Sequence, residues 1–332
     1  NGSTTASSTP VSVSGLSSGA TDVSVAGTVG AENTRKNYSC AVVSGAAKCW
    51  GANESGQLGN GSTTASSTPV SVSGLSSGAT AISTNSSLAS FMYYSVTISS
   101  HTCAVVSGAA KCWGKNSNGQ LGDNSTALSN VPVSVSGLSS GVTAISVGGY
   151  FGQYMYSSSD YSCAVVSGAA KCWGANYNGR NSQLGDGTTN TSLIPVSVSG
   201  LSSGVTAISV GGGHACAVVS GAAKCWGANE FGQLGNNSLT DAASAVSVSG
   251  LASGLIAITV GAQHSCSVSA TQVKCWGSNK SGQSGPSAFE VSQVNGLTSG
   301  VTAISAGSHT CAVVSGAAKR WGYNTFGKLG NG

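Results

Sequence analysis

The feature that most constrains the fold of this chain is an internal repeat. The motif (H/Y)xCAVVSGAAKCWGxNxxGQLG recurs with small variations, and its tryptophan marks each copy: Trp50, Trp113, Trp173, Trp226, Trp276 and Trp321. Successive tryptophans lie 45 to 63 residues apart. A unit of this length cannot bury its apolar face alone and has to pack against its neighbours. The sequence therefore predicts one repetitive domain over residues 1–332.

Each repeat contains four strand-like runs. In the fourth repeat they are IPVSVSGL, VTAISVGG, HACAVVS and GAAKCWG, in which apolar and small residues alternate between Gly, Ser or Asn boundaries. No helical period of apolar residues is present, which argues against helical and leucine-rich solenoids. Four short strands per repeat predict an all-β, six-bladed β-propeller with four-stranded blades.

The two ends of the chain match each other as parts of one repeat. Residues 1–21 are identical to residues 60–80, which directly follow a GQLG, and the chain ends in GKLGNG. The match predicts that the N- and C-terminal segments share one blade and close the ring. A stretch taken from a longer tandem array is the alternative.

The spaced WGxNxxGQLG motif, preceded by GxxH and a short hairpin, resembles the regulator of chromosome condensation repeat family over essentially the whole chain. The resemblance implies a β-propeller in which the GxxH histidine belongs to the blade scaffold. Two departures are evident: the best-known members have seven blades, and the chromatin-associated members lack paired cysteines. The cysteine-rich version looks more like secreted members, which resemble protein-binding platforms.

The cysteines occur in pairs nine residues apart in five repeats. A two-residue turn at Ser44 and Gly45 places Cys40 opposite Cys49 at a closely spaced cross-strand position that suits a disulfide. Five disulfides are therefore favoured over zinc sites, which prefer CxxC spacing, and over free core thiols. In the sixth repeat Arg320 replaces the second cysteine, so Cys311 is predicted to be an unpaired thiol. The predicted pairs are Cys40–Cys49, Cys103–Cys112, Cys163–Cys172, Cys216–Cys225 and Cys266–Cys275.

Composition and motifs argue against several functions. Only 7% of residues are charged, and 13 Lys and Arg face 9 Asp and Glu, with six of the lysines spread one per repeat. That distribution predicts no nucleic-acid partner, and no apolar run is long enough for membrane insertion. Nucleophile-elbow, metalloprotease, P-loop and dinucleotide motifs are absent. We expect no enzymatic activity, catalytic residue, cofactor or metal.

One repeat position holds His101, His214, His264 and His309, with Tyr38 and Tyr161 in the other two copies. A catalytic histidine would be singular, whereas a residue repeated in this way is expected to form structural hydrogen bonds between strands or blades.

The repeats differ most between the TAIS-type strand and the first cysteine strand. The first three repeats carry long insertions at this junction, so they should emerge together on one face of the propeller. Tyr, Phe and Met are enriched in interface cores, and loops on a rigid scaffold often bind partners. A cluster that packs the loops down is the alternative. The predicted binding residues are Arg35, Lys36, Phe91, Met92, Tyr93, Tyr94, Tyr150, Phe151, Tyr154, Met155 and Tyr156.

These observations predict an extracellular or cell-surface propeller that binds a protein or glycan through the loops of blades one to three. Disulfides require an oxidising compartment, which the periplasm also provides. The alternative is a structural subunit that self-associates into an extracellular filament or sheath. An enzyme-inhibitor platform is a third possibility, which rests only on the similar fold of a secreted β-lactamase inhibitor.

Overall fold

The computed structural model describes residues 1–5, 7, 9–27, 37–89, 97–149, 159–176, 182–284, 290–307 and 309–324. The fold is an all-β, six-bladed propeller with antiparallel blades, as the repeat pattern predicted. No helix in these residues is long and apolar enough to cross a membrane.

The first three blades are formed by twelve consecutive strands. They are β1 (Ala20–Ala26), β2 (Tyr38–Val43), β3 (Ala46–Gly51) and β4 (Ser66–Ser71); β5 (Ala79–Ala89), β6 (Thr97–Val106), β7 (Ala109–Gly114) and β8 (Ser129–Ser134); and β9 (Val142–Gly148), β10 (Tyr161–Val166), β11 (Ala169–Gly174) and β12 (Ser192–Ser197). Each set of four forms one sheet in chain order.

The remaining strands form blades four to six. They are β13 (Val205–Val210), β14 (His214–Val219), β15 (Ala222–Gly227) and β16 (Ala242–Ser247); β17 (Leu255–Val260), β18 (His264–Ser269), β19 (Val273–Gly277) and β20 (Ser292–Gln293); and β21 (Val301–Ala306), β22 (His309–Val314) and β23 (Ala317–Gly322). In the described part of the chain, the sixth sheet has three strands.

The chain divides into two compact units. The first contains Asn1–Ser167, Cys172–Ala175 and Thr191–Val196, and it holds blades one and two with most of blade three. The second contains Gly168–Lys171, Asn176–Asn190 and Ser197–Gly332, and it holds blades four to six.

The β2–β3 hairpin shows why the sequence folds in this way locally. Ser44 and Gly45 both adopt positive φ, 50° and 79°, as the two-residue turn that matches strand twist requires. The resulting register pairs Val43 with Ala46 and Cys40 with Cys49. Four other blades repeat the Ser-Gly turn with the same sign of φ. Local turn chemistry therefore fixes the cysteine pairing.

The core lies between successive blades. In the first unit, Val42 and Leu75 belong to the same buried cluster as Ile82 and Trp113 of blade two. In the second unit, Val218 and Leu251 cluster with Ile258 and Trp276 of blade five. In each of these two clusters, one blade therefore buries its apolar face against the next blade.

The predicted closure of the ring by both termini stays a prediction. Among the described residues, 1–5, 7 and 9–19 form no strand. The amide of Gly2 donates to the carbonyl of Ser67 at 3.3 Å, as the amide of Gly61 donates to the carbonyl of Asn130 at 2.9 Å. Because residues 1–21 are identical to residues 60–80, Gly2 lies against β4 in the same way that its equivalent Gly61 lies against β8.

Candidate functional site

The three long insertions all connect the first and second strands of their blades, as predicted. They join β1 to β2, β5 to β6 and β9 to β10, whereas in blade four the same connection is only Gly211–Gly213. In the β5–β6 hairpin, the backbone pairing continues to Ala89 and Thr97. The predicted binding residues lie outside the described residues: Arg35, Lys36, Phe91, Met92, Tyr93, Tyr94, Tyr150, Phe151, Tyr154, Met155 and Tyr156.

A buried polar network joins the bases of these three connections. The hydroxyl of Tyr38, at the start of β2, lies 2.7 Å from the carbonyl oxygen of His101 and 3.1 Å from that of Asn85. The Thr102 hydroxyl donates to the Tyr38 oxygen at 3.1 Å. Burial raises the pKa of Tyr38 well above its ordinary value, so the phenol stays protonated. Tyr38 therefore ties the first connection to both strands of the second.

Asn85 and Asp160 continue the network to blade three. The Asn85 side-chain amide donates to Asp160 Oδ1 at 2.8 Å, and the Gln120 amide donates to Asp160 Oδ2 at 3.5 Å. Asp160 is fully buried and directly precedes β10. A buried carboxylate requires such donors, because removing it from water without partners is costly. These bonds fix the roots of three adjacent loops.

The histidines at the repeated position form structural hydrogen bonds between blades, as predicted. His101 Nε2 lies 3.0 Å from Ser162 Oγ, His214 Nε2 lies 2.8 Å from Ser265 Oγ, and His264 Nε2 lies 2.9 Å from Thr310 Oγ1. Burial lowers the pKa of His101 to about 3. The pKa values of His214 and His264 fall to about 3 and about 4, from burial and then from the adjacent histidine. All three imidazoles are therefore neutral near pH 7.

A second bridge between blades uses the tryptophan and the GQLG glutamine. The Trp173 Nε1 donates to the Gln120 carbonyl oxygen at 2.9 Å, and the Ser162 hydroxyl donates to the same oxygen at 2.9 Å. Trp276 and Ser265 bond the Gln233 carbonyl oxygen in the same way, at 2.8 and 3.0 Å. These motif residues therefore stabilise the contact between neighbouring blades.

The cysteines of the first five blades form the disulfides of the structure: Cys40–Cys49, Cys103–Cys112, Cys163–Cys172, Cys216–Cys225 and Cys266–Cys275. Their Cα atoms lie 4.0 to 4.1 Å apart and their side chains are fully buried. Cys311 is a free, half-buried thiol opposite Arg320. Burial raises the pKa of Cys311, and the adjacent Arg320 opposes that rise.

Sequence reasoning missed Asn85, Gln120 and Asp160 as members of the site. Asn85 lies where blade four has Gly211, and Asp160 is one of only nine acidic residues in the chain. An acidic residue within an otherwise uncharged insertion was the available signal. Among the described residues, no group of three or more His, Cys, Asp or Glu could hold a metal ion.

Comparison with known proteins finds similarity both in sequence and in structure. Residues 45–85, 108–152 and 168–218 match the sequence model of the regulator of chromosome condensation (RCC1) repeat. Human WBSCR16 is similar in structure, with a TM-score of 0.71 and 19% identity over 95% of this chain and 79% of that one. Prp20p from Saccharomyces cerevisiae, described with its binding to Gsp1p and histones, has a TM-score of 0.66 and 20% identity over 89% of this chain and 72% of that one.

Proposed function

Because three segments of this chain match the RCC1 repeat, we propose that it is an extracellular, non-enzymatic propeller that binds a protein partner through the first-to-second-strand connections of blades one to three. The observation that carries the proposal is the buried Tyr38–Asn85–Asp160 network, which joins the roots of three long insertions, the second and third of which are rich in aromatic residues. Holding the ends of the loops in place reduces the conformational entropy that the loops lose on binding.

A protein partner is favoured over a glycan by two lines of support. Prp20p, a structural neighbour, binds proteins. The insertions also contain Tyr, Phe and Met together with Arg35 and Lys36, a composition typical of a protein interface that includes some charge. Recognition of a glycan through the same aromatic side chains is the alternative, and the binding experiment below distinguishes it from recognition of a protein.

The extracellular assignment rests on the disulfides. The five disulfides join ten of the eleven cysteines. Such bonds persist in oxidising compartments and are rare in the cytosol.

Two deletions test the proposal while keeping the network. Removing residues 87–99 leaves Ser86 and Ser100 between Asn85 and His101, and removing residues 150–159 leaves Gly149 and Asp160 before Tyr161. Both shortened hairpins then match the length of the blade-four connection, where Gly212 and Gly213 separate Gly211 from His214.

The immobilised native chain and the doubly deleted chain are exposed to the same extracellular protein extract. Retained proteins are identified, and the strongest is purified and titrated against both chains. We expect the deletions to abolish its binding and to leave the thermal midpoint largely unchanged. Ser44→Asn, at the opposite end of blade one, is the matched control and should bind normally, since Asn tolerates positive φ. Equal binding by the deleted chain, or retention of glycans alone, would overturn the proposal.

A further inference from the structure

The β18–β19 hairpin of blade five departs from the repeat at its turn. Residues 267–273 read SVSATQV, whereas the equivalent residues 217–223 of blade four read AVVSGAA. The Ser-Gly turn of the other five blades has positive φ at both residues. Neither Ala270 nor Thr271 has positive φ, and a β-branched residue such as threonine strongly disfavours it. The hairpin therefore turns differently in blade five.

The altered turn loses its contact with the loop that precedes the blade. In the other five blades, the turn serine donates its amide to the glycine before the first strand, as Ser220 N does to Gly204 O at 2.8 Å. The serine hydroxyl lies against the same glycine, 2.7 Å from a Cβ placed on Gly204. Within the described residues, no such bond joins Ala270 to Gly254, and nothing lies within 4 Å of a Cβ placed on Gly254. The turn of blade five is therefore separated from this loop.

A cavity of about 280 Å³ lies between the loop and the hairpin turn. Leu251 and Leu255 give it an apolar part, while the side of the hairpin turn contributes Thr271 and Gln272. Ser253 and Thr271 are exposed, so the cavity can be reached from solvent. All of its lining residues belong to the second compact unit. The departure from the repeat therefore coincides with a cavity of mixed polarity.

Ser267 brings a buried hydroxyl without a partner to this cavity. The residue lines the cavity and is 1% exposed, and its Oγ has no hydrogen-bond partner among the described residues. In blade four the equivalent residue is Ala217, which has no polar side-chain atom to pair. Burying a hydroxyl without a hydrogen bond costs free energy. A polar ligand in the cavity would supply the missing partner.

Lys274 gives the cavity a positive charge. It is the cross-strand partner of Ser267, so both side chains extend from the same face of the sheet. In blade two the equivalent Lys111 donates to the Ser134 hydroxyl at 3.2 Å. Gln293 replaces that serine opposite Lys274, which forms no hydrogen bond or ion pair in the described part of the chain. No Asp or Glu is among the described residues that line the cavity, so the local charge favours an anion.

We propose that this cavity binds a free, small hydroxylated carboxylate, such as an acidic monosaccharide. Lys274 pairs with the carboxylate through a charge-assisted hydrogen bond. The hydroxyls of Ser267 and Thr271 bond to ligand hydroxyls, and Leu251 and Leu255 pack against the apolar face of the sugar ring. Sites for drug-sized ligands have volumes of roughly 300 to 1,000 Å³. A cavity of about 280 Å³ therefore suits a single sugar unit.

This site is independent of the proposed function, because it includes no residue of the three insertions. Within blade five it lies at the hairpin turn, at the end of β18 away from the β17–β18 connection. The doubly deleted chain described above keeps residues 250–274 unchanged, so it should bind the carboxylate as the native chain does. Loss of the protein partner and loss of the carboxylate are thereby separate results.

Titration of the isotope-labelled native chain with sodium glucuronate, followed through its amide NMR signals, tests the site. We expect saturable shifts in residues 250–255 and 267–274, with a dissociation constant on the order of 1 mM for a ligand of this size. Glucose lacks the carboxylate and should bind at least about tenfold more weakly. Equal binding of glucose, or no saturable shift in these residues, would overturn the proposal.

Two single substitutions examine the groups that recognise the ligand. Lys274→Ala should weaken glucuronate binding at least about tenfold, whereas Lys224→Ala, at the equivalent position of blade four, should leave it unchanged. Ser267→Ala should weaken binding about fivefold through the lost hydrogen bond. The same substitution should raise the thermal midpoint, because it removes a buried hydroxyl without a partner. Native affinity in both Lys274→Ala and Ser267→Ala would contradict the proposal.

A variant that restores the repeat sequence removes the cavity without introducing a foreign hairpin. It gives blade five the residues of blade four at five positions: Ser267→Ala, Ser269→Val, Ala270→Ser, Thr271→Gly and Gln272→Ala. Because these residues form the Ser-Gly turn in the other five blades, the variant should keep or raise the thermal midpoint. We expect it to lose glucuronate binding. Binding that persists in this folded variant would show that the ligand lies elsewhere and would refute the site.

Discussion

At the residue scale, one repeated position shows how the scaffold tolerates variation. Histidine or tyrosine occupies it in every blade, and His101 and Tyr38 each reach the hydroxyl of the residue before the first cysteine of the next blade. His101 meets Ser162, and Tyr38 meets Thr102. The two side chains share an apolar ring with a polar tip, so they form the same bridge between blades. They differ in titration, because a histidine exposed in the unfolded chain gains a proton between pH 7 and 4, whereas a tyrosine does not.

That difference predicts a specific pH dependence. An unfolded histidine takes up its proton near pH 6.5, whereas folded His101 does so only near pH 3. Its contribution to stability is therefore complete above pH 6.5 and is lost as the pH falls toward 3. His101→Tyr removes this loss, so the variant should gain about 2 kcal/mol relative to the native chain between pH 7 and pH 5. Urea unfolding at both pH values measures the change, and parallel curves would show that His101 is not buried as a neutral ring.

At the element scale, the junction between blades depends on the final glycine of GQLG. A Cβ on Gly185 would lie 2.6 Å from Trp226 Cδ1 and 2.7 Å from its Nε1. Gly59 and Gly122 approach Trp113 and Trp173 in the same way. The glycine lets the turn lie against the indole that donates to the glutamine carbonyl. The motif is therefore a packing unit shared by two blades.

Gly185→Ala should be markedly destabilising because both its φ of 69° and its contact with Trp226 oppose a side chain. Gly250→Ala is the matched control, since its φ is 70° but nothing lies within 4 Å of the added carbon. We expect a cost of roughly 1–2 kcal/mol for Gly250→Ala from the backbone alone. Gly185→Ala should cost roughly 1–3 kcal/mol more from overpacking. Equal free energies of unfolding in urea would contradict the steric explanation.

At the scale of the whole molecule, stability rests on small blades, of which the first five are each cross-linked within one hairpin. Each disulfide closes a separation of nine residues, so it constrains one hairpin and no junction between blades. Cohesion between blades comes instead from the buried apolar clusters and the Trp–Gln bonds. The disulfides therefore stabilise individual hairpins, and the apolar packing holds neighbouring blades together.

Thiol labelling of the native chain checks this arrangement. The ten paired cysteines are disulfide-bonded and carry no free thiol, so only Cys311 should react before reductant is added, slowly because its pKa is raised. Reductant without denaturant should expose few further thiols. Reduction in denaturant, followed by blocking, should lower the thermal midpoint, since each lost hairpin disulfide removes roughly 2–3 kcal/mol. A reduced chain with an unchanged midpoint would show that packing alone stabilises the blades.

Much of the fold could be predicted because its determinants are local. The Ser-Gly turn, the period-two alternation and the nine-residue cysteine spacing all act within one hairpin, and they predicted the strands and the Cys40–Cys49 register that the structure contains. The location of the three insertions followed from the same repeat alignment. The aromatic binding residues of those insertions remain a prediction.

The sequence by itself determined the blade, its turn and its cysteine pairing, because the interacting residues are close in the chain. Only the tertiary structure brought Tyr38, Asn85 and Asp160 together, since each comes from a different blade. Tyr38 and Asn85 are 47 residues apart, and Asn85 and Asp160 are 75 residues apart, so no local pattern in the sequence relates these three residues.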